Sequence, residues 1–137
     1  MNLIKIKNLP DSMESSEIRD YFTIVLKEAM QLGNIDPLQT SKAIVELADR
    51  QWHTYEKVDE DTKSKIESWI ELVWDVKFKT LVDNILTIIT YLGLENSFQL
   101  VENSLTPDLD KDISDLINEA IKELKDHVGD PYYGLQL

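Results

Sequence analysis

The sequence predicts an all-α fold, a compact bundle of about six helices. Three observations carry that expectation. Apolar residues recur every three or four positions along almost the whole chain, the period of a helix that buries one face. The one alternating stretch, Leu3–Lys7, could form a strand, but the chain offers it no convincing partner strand. The 137 residues, 42% hydrophobic and 29% charged, suit a single domain over 1–137 that needs no disulfide or metal to fold.

The first helix is marked by Ile18, Tyr21, Phe22, Val25, Leu26, Ala29 and Met30 and ends at Gly33. Asp11 followed by Glu14 offers it a capping box, with Ser15 as a competing cap. Asp36-Pro37 with Gln39 opens a second helix, pairing an N-cap with a residue preset for the first turn. Its buried face is Ile44, Leu47, Ala48, Trp52 and Tyr55. Asp59-Glu60-Asp61 places negative charge at the start of a third helix, where the dipole favours it, and Ile66, Trp69, Ile70, Val73 and Trp74 follow. Residues 61–92 lack Gly and Pro, so one rod of ~48 Å is geometrically open. A rod that long would leave apolar surface uncovered in a domain of this size, so a break is expected within Asp75–Thr80. Thr80 and Asp83 then cap a fourth helix through Leu81, Val82, Ile85, Leu86, Ile89 and Leu92, stopped by Gly93. Its Ile85–Thr90 run is rich in strand-favouring residues, but spacing and stop favour helix. Asn96 and Gln99 cap a short fifth helix with Phe98, Val101 and Leu105. A sixth carries Ile113, Leu116, Ile117, Ala120, Ile121, Leu124 and Val128, stopped by Gly129. Residues 129–137 read as a turn-rich tail.

Residues 80–126 thus run helix, Leu92-Gly93 turn, helix, Pro107-Asp108 loop, helix. This resembles the helical hairpins of HEAT-type repeats, and the resemblance implies a short stack of such hairpins. Short antiparallel pairs in any bundle give the same spacing, so both arrangements stay open.

Charge narrows the function classes. Lys and Arg number 14 against 26 Asp and Glu, a net charge of −12, which disfavours nucleic acid and anionic membrane surfaces as partners. The absence of cysteine excludes thiolate nucleophiles and Cys-ligated zinc. Met1–Lys7 lacks the apolar core of a signal peptide, and Leu81–Leu94 is too short to span a bilayer, so a cytoplasmic protein is expected. No Gly-rich phosphate loop or Gly-x-Ser-x-Gly is present. The sequence implies no cofactor, and a small carboxylate-dependent hydrolase is the minority reading.

Two constellations invite metal readings. Asp108, Asp110, Asp112 and Glu119 stand at first, third, fifth and twelfth positions, as in an EF-hand calcium loop. That loop needs Gly at its sixth position, where Ile113 stands, so an acidic helix start is the expected reading. Glu46, Asp49, His53 and Glu56 share one stripe of the second helix, opposite its apolar face, and read as a solvated surface. Trp52, Trp69 and Trp74 fall on buried faces, as core aromatics do.

The polar side of the last helix presents Asp112, Asp115, Glu119, Glu123 and Asp126. Stacking like charge at i,i+4 costs some helix stability and yields a surface that steers a basic partner. Tyr132 and Tyr133 beside Asp130 either pack back onto the bundle or form an interface anchor. An acidic helix surface and an Asp-flanked Tyr-Tyr pair are similar to those of small, acidic, all-helical bacterial immunity proteins, notably those of colicin-type nucleases. The resemblance implies a non-catalytic chain that neutralises a basic toxin through Asp112, Asp115, Glu119, Glu123, Asp126, Tyr132 and Tyr133. The alternative is a structural module that associates with copies of itself.

Overall fold

The structure is a computed structural model that describes residues 3–31 and 36–135. Among them the regular elements are all helical: α1 (Leu3–Lys7), α2 (Ser15–Gln31), α3 (Pro37–Trp52), α4 (Glu60–Val73), α5 (Lys79–Leu92), α6 (Glu95–Asn103) and α7 (Lys111–Leu124). The all-α expectation holds, with one helix more than anticipated. That helix is α1, so Leu3–Lys7, left open between strand and other structure by the sequence, is helical. Its single turn is held from outside by Arg50 of α3, only 4% exposed. The guanidinium donates to the carbonyls of Lys7 (3.3 Å), Leu9 (2.9 Å) and Pro10 (3.0 Å), and pairs with Glu46 at 3.1 Å. A buried charge persists only when its donors are satisfied, and here they tie up the chain leaving α1.

Aspartate caps explain where three of the seven described helices begin. Asp36 accepts from the Leu38 N–H at 2.9 Å, with Pro37 in the first turn. Asp59 accepts from the Thr62 N–H at 3.1 Å and from its hydroxyl at 2.7 Å. Asp110 accepts from the Asp112 N–H at 3.0 Å. Three expected caps are corrected. α2 starts on the Glu14 carbonyl, which accepts from Glu17 and Ile18, so neither Asp11 nor Ser15 is the cap; Gly33 lies outside the described residues. α5 is preceded by Phe78, whose side chain makes no cap, and Thr80 and Asp83 sit inside the helix. α6 follows Leu94, with Asn96 and Gln99 already helical. Its first turn is served by Glu67 of α4, which accepts from the Ser97 N–H at 3.0 Å and the Asn96 amide at 3.3 Å.

The predicted break in 61–92 lies between Val73 and Lys79, where Asp75 accepts from the Lys77 N–H at 2.9 Å and turns the chain. Gly93 ends α5 as expected, in the left-handed conformation with φ 68°. A Cβ there would also meet the Val128 carbonyl oxygen at 3.1 Å, so the glycine serves both the turn and the approach of the tail. α7 ends at Leu124 rather than running to Gly129, because the His127 N–H bonds to the Leu124 carbonyl in a tighter turn.

Successive helices from α2 to α7 alternate between two layers. α2, α4 and α6 neighbour one another in one layer, and α3, α5 and α7 in the other, with α1 against α3. Helices within a layer run in the same direction. Asn84 bonds Ser41 (3.0 Å) near the starts of α5 and α3, and Tyr91 meets Trp52 (6.2 Å) at their ends. Lys79 faces Asp112 (3.7 Å) at the starts of α5 and α7. In the other layer, Lys63 reaches Glu95 (3.5 Å) and Trp74 donates to Ser104 (2.7 Å) at the two ends of α4 and α6. The core lies between the layers and draws on every helix, from Ile6 through Phe22, Ile44, Ile70, Ile85 and Val101 to Ile117. α5 is the middle helix of its layer and buries Leu81, Val82, Ile85, Leu86, Ile88, Ile89 and Leu92. Its strand-favouring residues are helical because the core meets them on more than one face. None of the described helices is long and apolar enough to cross a membrane.

Candidate functional site

Asp112, Glu119 and Glu123 fall on the flank of α7 that faces α5, whereas Asp126, expected on the same helix, lies past its end at Leu124. Asp112 is exposed and stands 3.7 Å from Lys79, while Asp115 is exposed and pairs with Lys111 at 3.2 Å. Exposed pairs of this kind neutralise little and are readily exchanged for another cation. Glu119, Glu123 and Asp126 are exposed and make no ion pair among the described residues.

Between α5 and α7 lies a groove of about 350 Å³. Leu86, Leu116 and Ala120 line it, Glu119 and Glu123 stand on its α7 side, and Asp83, Thr87, Thr90 and Tyr91 on its α5 side. Asp83, like the two glutamates, has no ion pair among the described residues. At the far end of the groove, burial pushes the Tyr91 hydroxyl above its ordinary pKa, and the Asp49 carboxylate beside it adds to the effect. That contact extends the negative surface across α5 to α3, where Glu46 and Asp49 are partly exposed and His53 exposed. The stripe expected on that helix is therefore solvated, although Glu56 lies past the helix end and Glu46 is engaged by Arg50. His53 Nδ1 contacts the Asp49 carbonyl at 2.8 Å.

The two C-terminal tyrosines have separate fates. Tyr132 is 8% exposed, and its hydroxyl donates to the Trp52 carbonyl at 2.8 Å. The interface-anchor reading is corrected for this residue: it packs back onto the end of α3, beside Trp52 at 5.6 Å and Tyr55 at 5.8 Å. Trp52 in turn donates to the Pro131 carbonyl at 2.9 Å. Burial raises the Tyr132 pKa, and the nearby Glu56 charge works in the same direction. Tyr55, expected in the core, is 57% exposed because α3 ends at Trp52 and the chain turns through φ 61° at Tyr55. Tyr133 is 64% exposed and stacks on His127 with ring centroids 3.9 Å apart. Its ring lies in the tail that follows α7. Of the expected tryptophans, Trp69 is in the core and Trp74 is partly buried against it, while Trp52 is partly buried among Tyr55, Tyr91 and Tyr132.

The calcium-loop candidate does not assemble. Asp110 is spent as the cap of α7, and residues 111–124 are already helical. Asp108 stands apart in the preceding loop, its carboxyl held below the usual range by the Thr106 hydroxyl. No group of three or more acids or histidines suited to a metal is found among the described residues.

Sequence reasoning located the α7 ridge but missed its α5 side. Asp83, Thr87 and Thr90 follow helical spacing on the polar face of α5, and that signal was available. Which helix they would face was not, since the pairing of α5 with α7 skips over α6. Comparison with family models, curated proteins and solved structures finds none that matches this chain.

Proposed function

We propose that this protein is a non-catalytic binding domain that captures a basic protein on its α3–α5–α7 layer, and that in its sharper form it is a cytoplasmic immunity protein neutralising a basic toxin. The observation that carries this reading is the set of exposed carboxylates without ion pairs at Asp83, Glu119, Glu123 and Asp126. Each such group keeps its charge in solvent and concentrates a cationic partner near the surface. Attraction of this kind acts mainly on the association rate, and an aromatic contact lengthens the life of the complex. Tyr133 is the aromatic in position to do so, exposed and held by His127. The alternation of helices between two layers supports a short HEAT-type stack as the scaffold, a form that presents one continuous helical face to its partner.

The test is retention of a partner from the native cell at low salt, compared between the wild-type chain and the triple variant Asp115→Lys, Glu119→Lys, Glu123→Lys. The wild type should retain a basic protein that elutes as salt rises, and the variant should not. Capture of the same protein by both forms overturns the reading. Self-association is the alternative favoured by exposed Ile24, Met30 and Leu72. It predicts a sedimentation coefficient that grows with concentration at high salt, where repulsion between copies of charge −12 is screened.

A further inference from the structure

The groove between α5 and α7 has a chemical character that goes beyond its net charge. The Thr87 hydroxyl donates to the Asp83 carbonyl at 3.1 Å, and the Thr90 hydroxyl to the Leu86 carbonyl at 2.9 Å. Each hydroxyl has one hydrogen, so what both turn outward is lone pairs. The carboxylates on the two rims likewise only accept. The polar lining from Asp83 to Thr90 and from Glu119 to Glu123 therefore asks for donors alone. Among protein side chains, Arg and Lys are the cations that offer donors and no acceptor. Between the rims, Leu86, Leu116 and Ala120 form an apolar floor.

We propose that this groove seats an amphipathic helix of the basic partner, its Arg or Lys side chains on Asp83, Glu119 and Glu123 and its apolar residues on Leu86, Leu116 and Ala120. The inference rests on the basic-partner reading above and adds the form of the partner. A helix fits because acids stand on both rims with the floor between them. A helix offers an apolar stripe flanked by cations on either side, whereas an extended strand divides its side chains between two opposite directions. From Asp83 to Tyr91 the groove follows α5 for ~12 Å, about two helical turns. Glu119 and Glu123 lie one turn apart, matching cations at i and i+4 of an occupant lying alongside. The aliphatic stems of those cations cover the edges of the floor.

The probe is a labelled synthetic peptide of about five helical turns, with Arg at i,i+4 on both sides of a Leu stripe. It is compared by fluorescence anisotropy with a permuted peptide of the same composition and no common face. The wild-type chain should bind the amphipathic peptide at least about tenfold more tightly, since the apolar floor adds helix-in-groove contact to charge attraction. Ala120→Trp fills the floor without altering charge and should remove that preference. Thr90→Tyr, at an exposed position, serves the same purpose if the first variant melts early. Equal affinity for both peptides, untouched by either substitution, overturns the groove and leaves the basic-partner reading standing. Failure of both peptides to bind at low salt overturns the groove too, while the charge-reversal experiment judges the wider reading by itself.

Discussion

Tyr132 shows how one side chain fastens the tail. Its ring completes the cluster of Trp52 and Tyr55, and its hydroxyl reaches the Trp52 carbonyl across 80 positions of sequence. Tyr132→Phe keeps the ring and deletes that bond. The acceptors it leaves have other donors: the Tyr55 N–H reaches the Trp52 carbonyl and the Gln51 amide reaches that of Glu56. The expected loss at neutral pH is therefore modest, about 1 kcal/mol by chemical denaturation. The pH dependence is more diagnostic. Burial raises the folded-state pKa of Tyr132 above the ordinary 10.0, so the fold favours the protonated phenol. That contribution is fully present below pH 10.0 and is lost as pH rises through the raised value. The gap between wild type and Tyr132→Phe should narrow above pH 10.0; a gap that stays constant there means the phenol titrates alike in both states. The sequence allowed Tyr132 to pack back onto the bundle but not the place where it does so, since Asp130-Pro131-Tyr132-Tyr133 reads locally as a turn carrying two aromatics. A contact partner so far away leaves no local signal.

At the scale of elements, what could be read depended on where each helix finds its cap. Asp36-Pro37, Asp59 and Gly93 act on their own neighbours, and all three were legible. α6 takes its cap from Glu67 on another helix, and α1 takes its closure from Arg50, so neither was. Asp59 offers a clean test of a local cap. Burial works to raise its pKa, but hydrogen bonds from the Thr62 hydroxyl and N–H, with the nearby Arg19 charge, outweigh it and hold the group below the ordinary 3.8. A depressed carboxylate contributes stability that is present above the unfolded value and lost as pH falls through the folded one. Asp59→Ala should cost about 1 kcal/mol at neutral pH, the usual worth of an N-cap. The deficit should shrink as pH drops below 3.8. Urea titrations of both forms across that range decide the matter, and a deficit independent of pH would place the effect in packing rather than in the charged cap.

Over the whole molecule, acids are spread over both layers, and the α3–α5–α7 layer is set apart by the groove along which some of its own stand. The acids of α7 continue across the α3–α5–α7 layer through Asp83 on α5 and Asp49 on α3. The sequence revealed the ridge on α7 because its spacing is local. It hid the continuation onto α5 and α3, because that depends on how successive helices are sorted between layers. Carboxylates gathered along the α5–α7 groove and left without ion pairs repel one another, and they do so more in the folded chain than in an expanded one. Salt should therefore act on this protein in two opposite ways. Raising ionic strength from about 0.01 M to 0.5 M shortens the screening length from ~30 Å to a few ångströms. The repulsion within the layer is then damped, so the melting temperature should rise. Over the same interval the attraction for a basic partner is damped as well, so its affinity should fall. Replacing Glu119 and Glu123 by Gln should flatten both responses together, since the same two charges feed each. A melting temperature that rises with salt equally in wild type and double variant means the repulsion resides elsewhere, and the α7 ridge then loses its claim to be the charged surface that meets a partner.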